Sequence, residues 1–425
     1  MLWRRRRRVP PPATDSLGPA GDGAESEELD PAELEAQARR SAGLPTPEDY
    51  LVDLCGLHQL VLLGDQRYVA SHLELLASVV PQLWQRGVRN LAWEFTNTRC
   101  QAELDTLVTD RTWSAEHAHD LFIDLMGVGL GYQQYVDVLH AVWDHNRTLG
   151  AEVPNQRVVA LGLPSFVEDP DLLDGRSGAE TELRNWWLGG HYRDVTAIHM
   201  ANILTNEVLR RRERALVYAD ADRTTTKLLQ LDDGQPALSG GNLLYRWIGE
   251  GVQRVLFHGA VADVDTIQRV EALVSASPDE IDRFGIDMEL STLGDVPAPS
   301  LRGVVDGAVR PLRLADVADG YLYLGSIRDW RPAELIGGFL RSDNVAVAER
   351  QYRALDPRQD PYTLAELEEL RTEGASSVVD TWPQLPDIEP DDAEGVPGEV
   401  GSNGSRRSRR RGRRRRLIQT EEADR

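Results

Sequence analysis

Three apolar runs in this chain end in acids. Asp65 closes the run 60–64, Glu94 lies at the end of 90–95, and Asp220 follows 215–219, with Asp222 two residues on. Several ionised carboxylates in a small space repel one another and need a cation, an arginine or a shared proton. Oxygen-only ligation suits Mg2+, Mn2+ or Ca2+ better than Zn2+, and a bound metal could activate water for hydrolysis. Arg67, Arg193 and Arg223 lie near these acids in sequence and could neutralise them instead. Two plainer roles stand beside these: an aspartate at a strand-to-helix junction commonly caps the next helix, and Glu94 could simply pair with Arg67. The candidates are therefore Asp65, Glu94 and Arg193 for catalysis, Arg67, Arg223 and His258 for substrate binding, and Asp65, Glu94 and Asp220 for metal ligation.

The elements that must position these residues alternate between strand and helix. Leu60 to Leu63 is unbroken apolar, as in a strand covered on both faces. Val69, Leu73, Leu76, Val80 and Trp84 then recur at helical spacing, and Gly87 sits where a helix C-cap needs positive φ. A second strand over 90–95 completes a βαβ unit, which places both strands' C-terminal ends on one sheet edge. Ligands of open α/β sheets bind at that edge. Further strands are expected at 157–163, 215–219, 252–258 and 321–324. Helices are expected at 47–55, 98–108, 114–126, 132–148, 179–212, 243–250 and 264–275. Thr363 and Glu366 form a capping-box pattern for a last helix. The pattern predicts an α/β fold with a mostly parallel sheet flanked by helices, in one large domain.

The nine histidines form no metal motif. His117 and His119 are two apart and face different ways on a helix, and HExxH is absent. His258, at the end of the strand 252–258, is the histidine expected to line a pocket. Gly127-Val-Gly-Leu-Gly131 follows a helix rather than a strand, so it is no dinucleotide fingerprint. GxxxxGK and GxSxG are both missing, which argues against P-loop NTPases and α/β-hydrolases.

With 425 residues, 41% of them hydrophobic, the chain can bury a large core. Its net charge of −22 is polarised: five arginines at 4–8 and nine between 406 and 416 frame a strongly acidic body. Such a body argues against a nucleic-acid face on the fold itself. The arginine runs could engage nucleic acid or another polyanion by charge alone. Cys55 and Cys100 provide no disulfide framework. Met1 to Arg8 lacks a following apolar segment, and no apolar run approaches the ~18 residues a membrane helix needs, so the expected location is cytoplasmic. The expected organisation is a disordered Arg/Pro-rich segment 1–44, a domain 45–355, a C-terminal helix 356–373, an acidic Pro/Gly linker 374–405 and the tail 406–425.

Leu60-Val-Leu-Leu-Gly-Asp-Gln-Arg67 resembles the apolar strand and Gly-Glu-x-His motif of the haem-binding-uptake/Tiki superfamily, which includes ChaN-like, TraB-like and erythromycin-esterase-like proteins. Leu91-Ala-Trp-Glu94 is similar to its second strand, and Arg193-Asp194 with Ala215–Asp220 to its later Arg–helix–strand block. Glu94 and Arg193 match unchanged. In the first motif the acid is shortened to Asp65 and the histidine is Arg67. Asp220, Asp222 and Arg223 stand where the later histidine belongs. The resemblance implies a hydrolase acting on a small molecule, its site rebuilt from carboxylates and arginines: Asp65, Glu94 and Asp220 would hold a divalent cation or activate water, and Arg67 and Arg193 would clamp an anionic group of the substrate. A catalytically inactive pseudoenzyme binding a ligand such as haem is the second expectation. An adaptor holding a polyanion through its tails is the third.

Overall fold

Apolar runs flanked by helices have paired in parallel. In the computed structural model, Leu60–Asp65 (β1) lies between Ala215–Asp220 (β4) and Val252–Phe257 (β7), and Asn90–Asn97 (β2) pairs with β4 and with Arg157–Gly162 (β3). Gly320–Tyr323 (β11) extends the sheet beside β7, and Phe284–Asp287 (β8) closes it antiparallel. The seven-stranded order is β3-β2-β4-β1-β7-β11-β8. The structure describes residues 44–123, 131–163, 190–230, 236–260, 264–275, 282–305, 308–355 and 360–381.

Side chains alternate between the two faces of the sheet, and both faces are covered. Val61, Leu63, Trp93, Phe95, Leu216 and Tyr218 pack on one side with the helices Pro47–Leu57, Ala70–Ser78 and Gln133–Thr148. Leu60, Leu62, Ala92, Val217 and Ala219 pack on the other with Gly190–Leu204 and Gly240–Ile248. The chain builds β2, β3 and β4 on one side of β1 and then crosses to β7 on the other. The sheet thus switches direction beside β1, the place where such folds open a crevice at the strands' C-terminal ends.

The expected strands are present with small changes in length, and 264–275 is matched end for end by the helix Val264–Ser275. Other expectations are corrected. The run from Val69 to Trp84 is two helices, Ala70–Ser78 and Val80–Gln85, because Pro81 cannot continue the first helix and suits the start of the second. Leu229–Gln230 (β5), Pro236–Ala237 (β6), Pro297–Val305 (β9) and Ala308–Arg313 (β10) form an unexpected antiparallel sheet, ordered β10-β9-β5-β6.

The last helix runs Leu364–Thr381, with the Thr363–Glu366 capping box formed. Leu367 and Arg371 are wholly buried, so this helix belongs to the core rather than trailing from it. The expectations for residues 1–43, for the segments beyond 381, for the glycine run at 127–130 and for 179–189 lie outside the described residues. Among the described residues, no helix is long and apolar enough to cross a membrane.

Candidate functional site

The C-terminal ends of β1, β2 and β4 bring four charged side chains together. Asp65 and Asp220 are register partners on adjacent strands. Arg67 comes off the end of β1 in a tight turn. Tyr68 after it has φ of 67°, a left-handed conformation that is costly for a bulky side chain. The Tyr68 carbonyl accepts from Ala333 N at 2.6 Å, and its ring lies 5.0 Å from that of Tyr132, which fixes the turn. Arg67 is thereby aimed across the strand ends. Its Nε donates to Asp220 Oδ1 at 2.6 Å, and its Nη2 to Asp220 Oδ2 at 2.5 Å and Glu94 Oε1 at 3.0 Å.

Glu94 is held from a second direction. Arg223 Nη1 lies 2.8 Å from Glu94 Oε2, and the Asp220 N–H donates to Glu94 Oε1 at 3.1 Å. Arg223 sits in the short helix Ala221–Thr224. Arg254, a buried residue of β7, anchors that helix by donating to Ala221 O at 2.7 Å. Glu94 is nearly covered, its side chain 2% exposed, whereas 36% of the Arg67 side chain meets solvent. Burial pushes the Glu94 carboxyl up to about 7, against the pull of Arg223 and Arg67. Asp220 moves the opposite way: burial would raise it, but Arg67 and Arg223 hold it below the ordinary carboxylate value. Two neighbouring carboxyls pushed apart in this way are the mark of an acid–base pair.

Asp65 turns to a different partner. Its Oδ1 lies 2.7 Å from Nδ1 of His72, and both side chains are buried. His72 stacks on Phe257 with ring centroids 3.9 Å apart, and Trp330 packs edge-on at 5.1 Å. Burial pushes Asp65 up and His72 down to about 3. Burial thus disfavours the charged form of both groups, and His72 is neutral.

His258 is also corrected. It is 1% exposed and does not open onto the cluster. Its Nδ1 lies 2.8 Å from the Tyr321 hydroxyl and its Nε2 2.9 Å from Glu271. Burial lowers His258, so the ring is neutral. Against burial, the His258 bond holds Glu271 down at about 2, which makes Nε2–H the donor and leaves Nδ1 to accept from Tyr321. Arg193 falls in the first turn of Gly190–Leu204, and its side chain lies outside the described residues.

The cluster does not fit the expected divalent ion. Both oxygens of Asp220 accept from Arg67, both oxygens of Glu94 meet arginines, and Asp65 is bonded to His72. Guanidinium groups already supply the positive charge that a metal would bring. Among the described residues, no three His, Cys, Asp or Glu are grouped so as to hold a metal ion. His72 and His258 are enclosed in their own hydrogen bonds, so neither is open to a haem iron.

Sequence reasoning did not single out His72 or Glu271. His72 carried a signal, a polar residue within the apolar stripe Val69, Leu73, Leu76. Glu271 carried none.

No family model matches the chain, and no curated protein matches it. Among solved structures it is similar to a succinoglycan biosynthesis protein, with TM-score 0.48 and 10% identity over 73% of this chain and all of that one. It is similar to a Bacillus cereus protein with TM-score 0.46 and 12% identity, over 73% of this chain and 100% of that one. It is also similar to an erythromycin esterase mutant in its open conformation, with TM-score 0.45 and 13% identity over 66% and 94% of the two chains. Likeness at this level assigns no chemistry, which has to come from the side chains just described.

Proposed function

We propose that the strand-end cluster is a metal-independent hydrolytic site, in a divergent relative of the superfamily that the sequence resembles. Glu94 is the proton-transfer group, Asp220 the fixed negative charge, and Arg67 and Arg223 the guanidinium pair that faces an anionic group or developing oxyanion. The observation that carries this reading is the shared hold of Arg67 on Glu94 and Asp220, with the two carboxyls driven in opposite directions. A general base works best when its pKa lies near the operating pH. In the reaction, Glu94 takes a proton from water as the water oxygen attacks an acyl carbon. Arg67 stabilises the oxyanion, and the proton passes to the leaving oxygen or nitrogen as the acyl bond breaks. Asp65 and His72, buried behind Arg67, support the turn that aims it.

One observation favours a second reading, a non-catalytic ligand-binding protein: Glu94 is 2% exposed beneath the two arginines, so Arg67 must swing aside before a substrate reaches it. The test is hydrolysis of a panel of carboxylic esters, amides and phosphate esters by wild type, Glu94→Gln and Arg67→Met. Turnover lost in Glu94→Gln, and falling with pH below about 7 in wild type, supports the hydrolase. Binding of panel compounds that is lost in Arg67→Met, with no turnover by any variant, replaces it with the second reading.

A further inference from the structure

At the opposite edge of the sheet, by the N-terminal ends of β2, β3 and β4, lies a cavity of about 460 Å3, within the range of small-molecule sites. Arg89 precedes β2, Gln156 and Arg157 lead into β3, and Glu213 precedes β4; with Asp105 they form much of its polar lining. Arg157 shares its charge with Glu207 at 3.3 Å and Asp105 at 3.7 Å. Arg89 instead lies over the Trp84 ring, 4.1 Å from its centroid, and its Nη1 is buried with no hydrogen-bond partner.

Gln156 is wholly buried, and its main chain is satisfied by Asn146 on both sides, at 2.8 and 3.0 Å. Its side-chain oxygen and nitrogen both lack partners. Buried polar atoms are almost always paired, so three unpaired ones on two residues of one cavity call for an explanation. Two carboxylates complete the lining. Glu213 Oε2 accepts from Asn90 at 2.8 Å and Asp105 Oδ1 from Gln101 at 2.8 Å, and the second oxygen of each carries no hydrogen bond among the described residues.

We propose that this cavity binds a small zwitterion, a free α-amino acid. Its carboxylate sits on Arg89 and the Gln156 amide, and its ammonium faces Glu213 and Asp105. Stacking on Trp84 fixes the guanidinium plane, so that its edge offers the fork that a carboxylate fits. Neither a bare anion nor a bare cation answers both halves of the lining.

The experiment is calorimetric titration of the full-length protein with individual free L-amino acids, and with their N-acetylated and C-amidated derivatives. At least one free amino acid binds saturably, and either blocking group abolishes the binding. Arg89→Met weakens it about ten- to a hundredfold, the scale of one charge-assisted contact, and Glu213→Gln weakens it as well. If Arg89→Met does not fold, Arg89→Lys, which keeps the charge without the fork, takes its place. Failure of every free amino acid to bind overturns the proposal. So does equal binding of acetate or of the blocked derivatives.

Discussion

Arg67 and Asp220 meet in a two-point contact across neighbouring strand ends, Nε to Oδ1 at 2.6 Å and Nη2 to Oδ2 at 2.5 Å. They are 153 residues apart in sequence, and only the return of the chain to β4 beside β1 brings them together. Because Nη2 also reaches Glu94, one guanidinium touches two carboxyls. The sharing is unequal: Asp220 takes both donors and stays below the ordinary carboxylate value, while burial raises the more deeply covered Glu94 to about 7 against the pull of Arg223 and Arg67.

The inequality gives a stability profile with a definite sign. Glu94 is raised from 4.5 to about 7. A carboxyl raised on folding contributes stability that is full below its unfolded value and is lost as pH rises through its folded value. Stability should therefore fall from about pH 5 to about 7, with a slope of up to ~1.4 kcal/mol per pH unit for one proton. Glu94→Gln should flatten that slope. Asp220, lowered on folding, adds stability that is lost only as pH drops through its depressed value. Urea unfolding of the two proteins across this range, at constant ionic strength, is the check.

Asp65→Ala leaves the His72 ring nitrogen without its partner in a site where both side chains are 1% exposed. The expected loss is about 2 kcal/mol, the scale of one buried group left unsatisfied. Asp65→Asn keeps the shape and a hydrogen bond to the ring and should lose less than half as much. Equal losses in urea unfolding at neutral pH would mean that the hydrogen bond is not what holds this pair.

Arg371 fixes the last helix. Its wholly buried guanidinium donates to Gly131 O at 2.8 Å and Ile336 O at 3.2 Å, pairs with Glu368, and lies 4.8 Å from the Phe339 ring centroid. Arg371→Met fills the space of the stem but removes a donor from the Ile336 carbonyl and one of the two donors, with Ile336 N, to the Gly131 carbonyl, at an expected cost of about 2 kcal/mol. Glu368→Gln changes a side chain that is itself 38% exposed and keeps an acceptor for Arg371, so it should lose less than Arg371→Met. Chemical denaturation of both variants separates the two contributions.

The parallel strands were legible as short apolar runs, three of which end in acids that the parallel sheet puts on one edge. Of the pairings within the edge, only that of Glu94 with Arg67 was legible. Nothing local says that Arg67 turns toward Asp220 or that Asp65 turns away to His72; the left-handed turn at Tyr68 decides the first and the burial of the His72 helix the second. His258 sits at a strand end as read, yet the helix Val264–Ser275 delivers Glu271 to its ring and removes it from the surface. The second sheet was missed because β9 carries Pro297, Pro299 and Gly303, residues that read as loop and are tolerated on a short, peripheral sheet.

Glu94 should change its protonation near neutrality, where Asp220 stays ionised. A carboxyl-selective carbon NMR titration, with the Glu94 signal assigned by its loss in Glu94→Gln, tests this directly. The expected result is a Glu94 midpoint near 7 and an Asp220 midpoint below the ordinary carboxylate value. A Glu94 midpoint near its ordinary 4.5 would contradict it, leaving two fixed ion pairs with no group able to exchange a proton.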